Sequence, residues 1–150
     1  MSAFAQNKGN NDPGALKVTD LQPIKARKSE REVCVVKVEG GDAIGVKYAL
    51  LYTIYSAEVP ADLKKIDPSL LKQDGFSSAR FGAFHGRQGS VTGFIVYDNK
   101  MPNEVNVSLG EGQSATGAIG VRVQVWYFTD GKWKPRTQVS EKTIQLDEVK

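Results

Sequence analysis

GAIGVRVQVWYFTDGKWKPRTQVSEKTIQL, residues 117–146, reads as two strands that reverse at Asp130-Gly131. The side-chain parity of the pair depends on how many residues the turn takes. A two-residue turn sets Val123 opposite Gln138, Val125 opposite Arg136 and Tyr127 opposite Lys134. The best apolar row would then lie against charges, which a half-buried sheet tolerates badly. A three-residue loop of Thr129, Asp130 and Gly131, with Gly131 as a left-handed bulge, pairs Tyr127 with Trp133, Val125 with Pro135, Val123 with Thr137 and Val121 with Val139. The other face pairs Phe128 with Lys132, Trp126 with Lys134, Gln124 with Arg136 and Arg122 with Gln138. One face becomes apolar and the other basic, so the sequence predicts the bulged turn.

A length of 150 residues fits one domain, since two would each bury too small a core. Hydrophobic residues make up 40% and charged residues 25%, an ordinary globular balance. The net charge of +3 permits an anionic partner without demanding one. Cys34 is the single cysteine, which excludes an intrachain disulfide framework and a multi-cysteine zinc site. No stretch approaches the roughly 18 apolar residues of a membrane span. The opening residues lack the apolar core of a secretory signal, which predicts a product made in the cytoplasm.

Outward from the hairpin, the pattern is that of strands. Residues 32–39 (EVCVVKVE) form the first, closed by a Gly40-Gly41-Asp42 turn. Residues 44–55 alternate, with Ile44, Val46, Tyr48, Leu50, Tyr52 and Ile54 on a core face and a mixed second face covered in part. Residues 91–97 are apolar on both faces, which predicts a central strand. In 104–109, Val105, Val107 and Leu109 point inward. Pro135 lacks a donor, so the last strand is an edge or is bulged there, and a parity change between Val139 and Ile144 predicts a bend near Ser140-Glu141. Asp67 as N-cap, Pro68 at the first helical position and Gly75 as stop predict one short helix over 67–75. Residues 76–90 read as a glycine-rich loop, and 110–117 as a mobile connection. Residues 1–30 are polar, turn-rich and basic, and predict an extended arm. The expected architecture is an all-β antiparallel sandwich, jelly-roll or Ig-like, or a partly open barrel, over 31–150. It has six strands, or seven if the arm adds one.

Catalytic chemistry finds little support. His85 is the one histidine, and the sequence reveals no partner that would orient it as a base, which predicts an ordinary loop histidine. Cys34 alternates with Val36 and Val38 in a strand, which predicts core packing over a nucleophile. The glycines at 82, 86 and 89 lack the lysine and serine of a phosphate-binding loop. Neither an enzyme nor a bound cofactor or metal is expected. Binding finds more. The loop brings Arg80, Phe81, Phe84, His85 and Arg87; the hairpin's basic face brings Arg122, Trp126, Phe128, Lys132, Lys134 and Arg136; the arm adds Lys25, Arg27 and Lys28. Rings among cations stack bases at about 1–3 kcal/mol each, or are covered by the arm or a neighbouring subunit.

A basic arm, a compact β body, glycine-rich loops, exposed rings and no catalytic set together resemble the small β-sandwich head decoration (cement) proteins of tailed bacteriophages. Such proteins bind across capsomer boundaries, often with an N-terminal arm. The resemblance implies a non-enzymatic virion component. Its partners would be capsid protein or copies of itself, in a homo-oligomer or large assembly. A protein of this kind stabilises a shell by binding its assembled surface and not its free subunits. The alternatives are a single-stranded nucleic-acid-binding barrel, whose affinity falls steeply with salt, and a carbohydrate-binding module with Trp126 as platform.

Overall fold

Alternating apolar residues build nine strands among the described residues of a computed structural model, which describes residues 16–40, 44–72, 75–147 and 149. They are β1 (Lys17–Pro23), β2 (Glu32–Glu39), β3 (Lys47–Tyr55), β4 (Ser78–His85), β5 (Gln88–Tyr97), β6 (Glu104–Ser108), β7 (Gly117–Thr129), β8 (Lys132–Pro135) and β9 (Ser140–Leu146). One sheet (sheet A) has the order β1-β2-β6. The other (sheet B) runs β4-β5-β3-β7-β8, with β9 also beside β7. Every pairing is antiparallel, and the sheets form a sandwich-like all-β fold that does not close into a barrel.

The core lies between the sheets. Leu21, Val36, Val38, Val105 and Val107 of sheet A meet Tyr48, Leu50, Tyr52, Ile54, Val91, Val121, Val123 and Val125 of sheet B. The inward parity expected of the β7 valines therefore holds, and β5 is central, as its two apolar faces predicted. Strand β3 is buried on both faces, with Ala49, Leu51, Thr53 and Tyr55 covered on the side away from the core. Ile44 departs from the expected row: it precedes the strand and is 58% exposed.

The hairpin departs from expectation in a way that explains itself. Trp126 pairs with Pro135, Tyr127 with Lys134, Phe128 with Trp133 and Thr129 with Lys132. The turn therefore takes only Asp130 and Gly131, not three residues. Their φ values of 53° and 77° are the double left-handed combination whose twist suits a two-residue hairpin. The apolar row survives because the returning chain bulges. Arg136 and Thr137 both donate N–H to the Val125 carbonyl, at 2.8 and 3.2 Å, and pairing resumes with Val123 opposite Ser140 rather than Gln138. Pro135, with no N–H to continue the ladder, stands at the head of this irregularity, as its chemistry predicted. Val139 is consequently 39% exposed, and Val121 faces Lys142 in its place.

Two segments expected to be irregular or helical are otherwise, and the described part of the arm adds a strand, as the sequence allowed. Residues 76–90 are mostly a hairpin of β4 and β5, turning at Gly86-Arg87. The glycines belong to that ladder: Gly82 has φ +102°, and a Cβ there would lie 2.2 Å from the Ser90 carbonyl oxygen. The helix over 67–75 is instead a short 3-10 helix, Pro68–Lys72, preceded by another, Ala61–Lys64. Asp67 does cap it, accepting from Ser69 N–H at 3.0 Å and Ser69 Oγ at 2.6 Å, but Pro60 and Pro68 leave too little unbroken chain for an α-helix. The described part of the arm is structural: β1 pairs with β2 along its length, and buried Leu16 and Leu21 join the core. The expected arm residues 1–15, Gly41 and Asp42 of the expected turn, and Gln73 and Asp74 of the expected helix lie outside the described residues.

Candidate functional site

The outer face of sheet B carries a second apolar cluster, separate from the main core. Ala49 and Leu51 of β3 and Phe94 of β5 are buried there beneath Leu71, with Ile66, Leu70, Val96, Trp126 and Trp133 packed around them. The proline-broken segment 60–72 thus lies across the sheet as a partial cover. Arg122 helps to fix it, donating from Nη1 to the Lys64 carbonyl at 3.3 Å and pairing with Glu141 at 3.6 Å. Thr53 Oγ1 donates to the Lys65 carbonyl at 3.2 Å.

Where the cover ends, a cleft of about 840 Å³ opens between Pro68, Ser69, Leu71 and Lys72 on one side and Trp126, Phe128, Lys132 and Trp133 on the other. Trp126 is half-buried, its Nε1–H donating to Gln124 Oε1 at 2.9 Å. Phe128 is 41% exposed. Its ring meets Trp133 edge-on, centroids 5.3 Å apart and planes at 68°, and Lys47 Nζ stands 5.8 Å from its centroid. The cleft is apolar in its floor and has Lys72, Lys132 and Asp67 among its lining.

The two-residue turn reassigns the expected basic face. Trp133 shares the outer face with Trp126 and Phe128, whereas Lys132 and Lys134 pair with Thr129 and Tyr127 and take the opposite parity. Lys134 meets Asp130 at 3.7 Å, and half-buried Arg136 sits in the bulge. The expected interleaving forms only in part: Arg122 shares the outer face but is engaged by the 60–72 cover, Lys132 reaches the cleft lining, and Lys134 and Arg136 do not join the rings. Trp133, Leu71 and Lys72 are site residues that sequence reasoning missed. The Asp-Gly dipeptide, a strong two-residue-turn signal, was the clue that would have placed Trp133.

The other expected binding residues are dispersed. Phe84 is fully buried in the core. Arg80 Nε donates to the Ser108 carbonyl at 2.8 Å, bridging the sheets, while Phe81 and His85 are exposed on β4. Arg87 occupies the β4–β5 turn, its guanidinium against Gly117. Arg27 is not a free cation of an arm. It is 4% exposed and donates to the carbonyls of Glu30, Asp147 and Ala115 at 2.6, 2.6 and 2.7 Å; burial lowers its pKa, opposed by Glu30, Glu32 and Asp147. Lys25 and Lys28 are exposed.

Titratable groups serve packing. Burial pushes the Cys34 thiol up to about 12, and the thiol is closed off inside the sandwich. Tyr55 is also raised to about 12, first by burial and then by its hydrogen bond to Glu141. Among the described residues, no three His, Cys, Asp or Glu side chains gather to hold a metal ion, and no helix is long and apolar enough to cross a membrane. No protein-family model, curated protein or solved structure matches the chain.

Proposed function

We propose that this protein is a non-enzymatic docking protein, a head decoration (cement) protein of the kind its sequence resembles. It would stabilise an assembled shell through the outer face of sheet B. The observation that carries this reading is the cleft, in which Phe128 and Trp133 stand partly exposed beside half-buried Trp126. Aromatic anchors in a partly desolvated pocket are the features that dominate protein–protein affinity. Lys47, Lys72 and Lys132 around it favour a partner segment that presents an apolar side chain flanked by carboxylates.

The two alternatives have less geometry behind them. A nucleic-acid platform needs a run of free cations to follow a phosphate backbone, whereas Lys134 pairs with Tyr127 on the opposite face and Arg122 is engaged by the Lys64 carbonyl and Glu141. A sugar platform favours an open flat ring, whereas Phe128 and Trp133 meet edge-on at 68°.

The test is sedimentation of lysate from cells that make the protein together with its shell. The full chain should travel with the assembled shell, and Phe128→Ala should shift it to the light fractions while leaving its thermal unfolding unchanged. A wild-type chain that stays light beside assembled shells rejects the proposal.

A further inference from the structure

The rim of sheet B is a separate feature from the cleft. Sheet edges expose unpaired N–H and C=O groups, and stable proteins blunt them with lysine, proline, bulges or short strands. The other outer strands have such devices. β8 is four residues long and contains Lys132, Lys134 and Pro135. β9 leans on β1 through Lys142 and Asp20 at 3.2 Å. β1 has a register shift between Val18 and Asp20 and ends on Pro23. β6 is five residues long and starts at Glu104. β4, eight residues reading SARFGAFH, has no lysine, proline or acidic residue and, among the described residues, pairs on one side only, with β5.

The phase of its hydrogen bonds follows from one contact. Val96 N–H donates to the Ser77 carbonyl at 2.7 Å, so odd-numbered residues of this strand bond to β5 and even-numbered ones direct their groups outward. At Phe84 the outward groups are taken. Its N–H donates to Gln113 Oε1 at 2.9 Å, and its carbonyl accepts from Ser114 N–H at 3.2 Å. Ser78, Arg80 and Gly82 keep outward N–H and C=O groups with no main-chain partner among the described residues.

We propose that β4 pairs with β4 of a second copy, antiparallel and two-fold symmetric about Arg80, joining two six-stranded sheets. This register sets Ser78 against the partner's Gly82 and Arg80 against the partner's Arg80, which satisfies the three outward donors and three outward acceptors of each strand. The free set is symmetric about Arg80. It stops at Ser78, where the strand begins, and before Phe84, where residues 113–114 already occupy the edge. A foreign strand running on past Gly82 would meet residues 113–114 at Phe84, whereas the second copy's β4 begins at its Ser78, opposite Gly82. On the outer face, Ala79 lies opposite the partner's Phe81, a small side chain beside a large one, and the 42% exposed Phe81 ring is covered. Each Arg80 guanidinium stays turned to its own sheet A, on the Ser108 carbonyl. Neither β4 nor β5 lines the cleft, so this pairing stands or falls separately from the docking role.

Sedimentation velocity of the full chain over a concentration series, combined with amide hydrogen exchange, tests the pairing. A monomer–dimer equilibrium is expected, with protection at Ser78, Arg80 and Gly82 rising with concentration. Ser78→Pro, which removes an outward donor, and Phe81→Lys, which adds an edge charge, should each leave a monomer with unchanged unfolding. Mixed copies carrying Ala79→Cys and Phe81→Cys should cross-link on oxidation, since such non-hydrogen-bonded neighbours lie about 4.5 Å apart at Cα. A chain that is monomeric throughout with those amides unprotected overturns the proposal. So does a dimer indifferent to both variants, a Phe81→Cys copy that cross-links to itself in preference, or protection that appears only when a different protein is added.

Discussion

Cys34 shows how one residue's environment settles its chemistry. Its thiol is fully enclosed, and burial raises its pKa from the usual 9.0 to about 12. A thiolate is the reactive form, so native Cys34 should ignore thiol reagents that modify the unfolded chain stoichiometrically. The same shift makes stability depend on pH. Above pH 9 the unfolded thiol ionises while the native one stays protonated, so the unfolded state gains and stability falls progressively between pH 9 and 12. Cys34→Ala should flatten the fall in urea midpoint across that window. Curves of equal slope for the two proteins would show that the native thiol already ionises. Tyr55, raised to about 12 beside Glu141, adds a loss of the same sign between pH 10 and 12.

At the scale of elements, the β7–β8 hairpin sets the composition of the candidate site. Its two-residue turn needs positive φ at both Asp130 and Gly131; aspartate tolerates this conformation and glycine prefers it. Gly131→Ala should cost about 1 kcal/mol, read as a lower urea midpoint with an unchanged slope. No loss would mean that the turn is not built this way. The turn also shows why expectation and structure diverged. Treating the return strand as one regular run made the bulged loop look necessary to keep Val121, Val123 and Val125 inward. The chain instead takes the turn that Asp-Gly favours and corrects its register after Pro135, where two N–H groups share the Val125 carbonyl. Local turn chemistry and long-range burial are both satisfied, at the cost of a short irregular stretch. Likewise, the glycines at 82, 86 and 89 suggested a loop because composition does not distinguish a flexible link from a hairpin whose backbones come too close for a Cβ.

For the whole molecule, the N-terminal segment is the point of greatest consequence. β1 is the outer strand of a three-stranded sheet, and Arg27 just after it ties the chain before β2 to the β6–β7 connection and the C-terminal end through three carbonyls. Removal of residues 1–23 should therefore abolish cooperative thermal unfolding, because Leu21 leaves the core and the β2 edge opens. A body that melts cooperatively without 1–23 would show that β1 is dispensable, as a mere arm would be.

Alternation alone determined that the chain is all-β and antiparallel, a sandwich or a partly open barrel, that part of β3 is covered on both faces, that β5 is central and that the β7 valines point inward. Those conclusions follow from a period of two and from burial, which are properties of local sequence. Only the tertiary structure decided that segment 60–72 covers the back of sheet B, that Trp133 joins Trp126 and Phe128, that Arg27 and Phe84 are interior, and that β4 is an outer strand among the described residues. These depend on which strands become neighbours and where a register slips, and such choices are made by contacts between residues far apart in the chain.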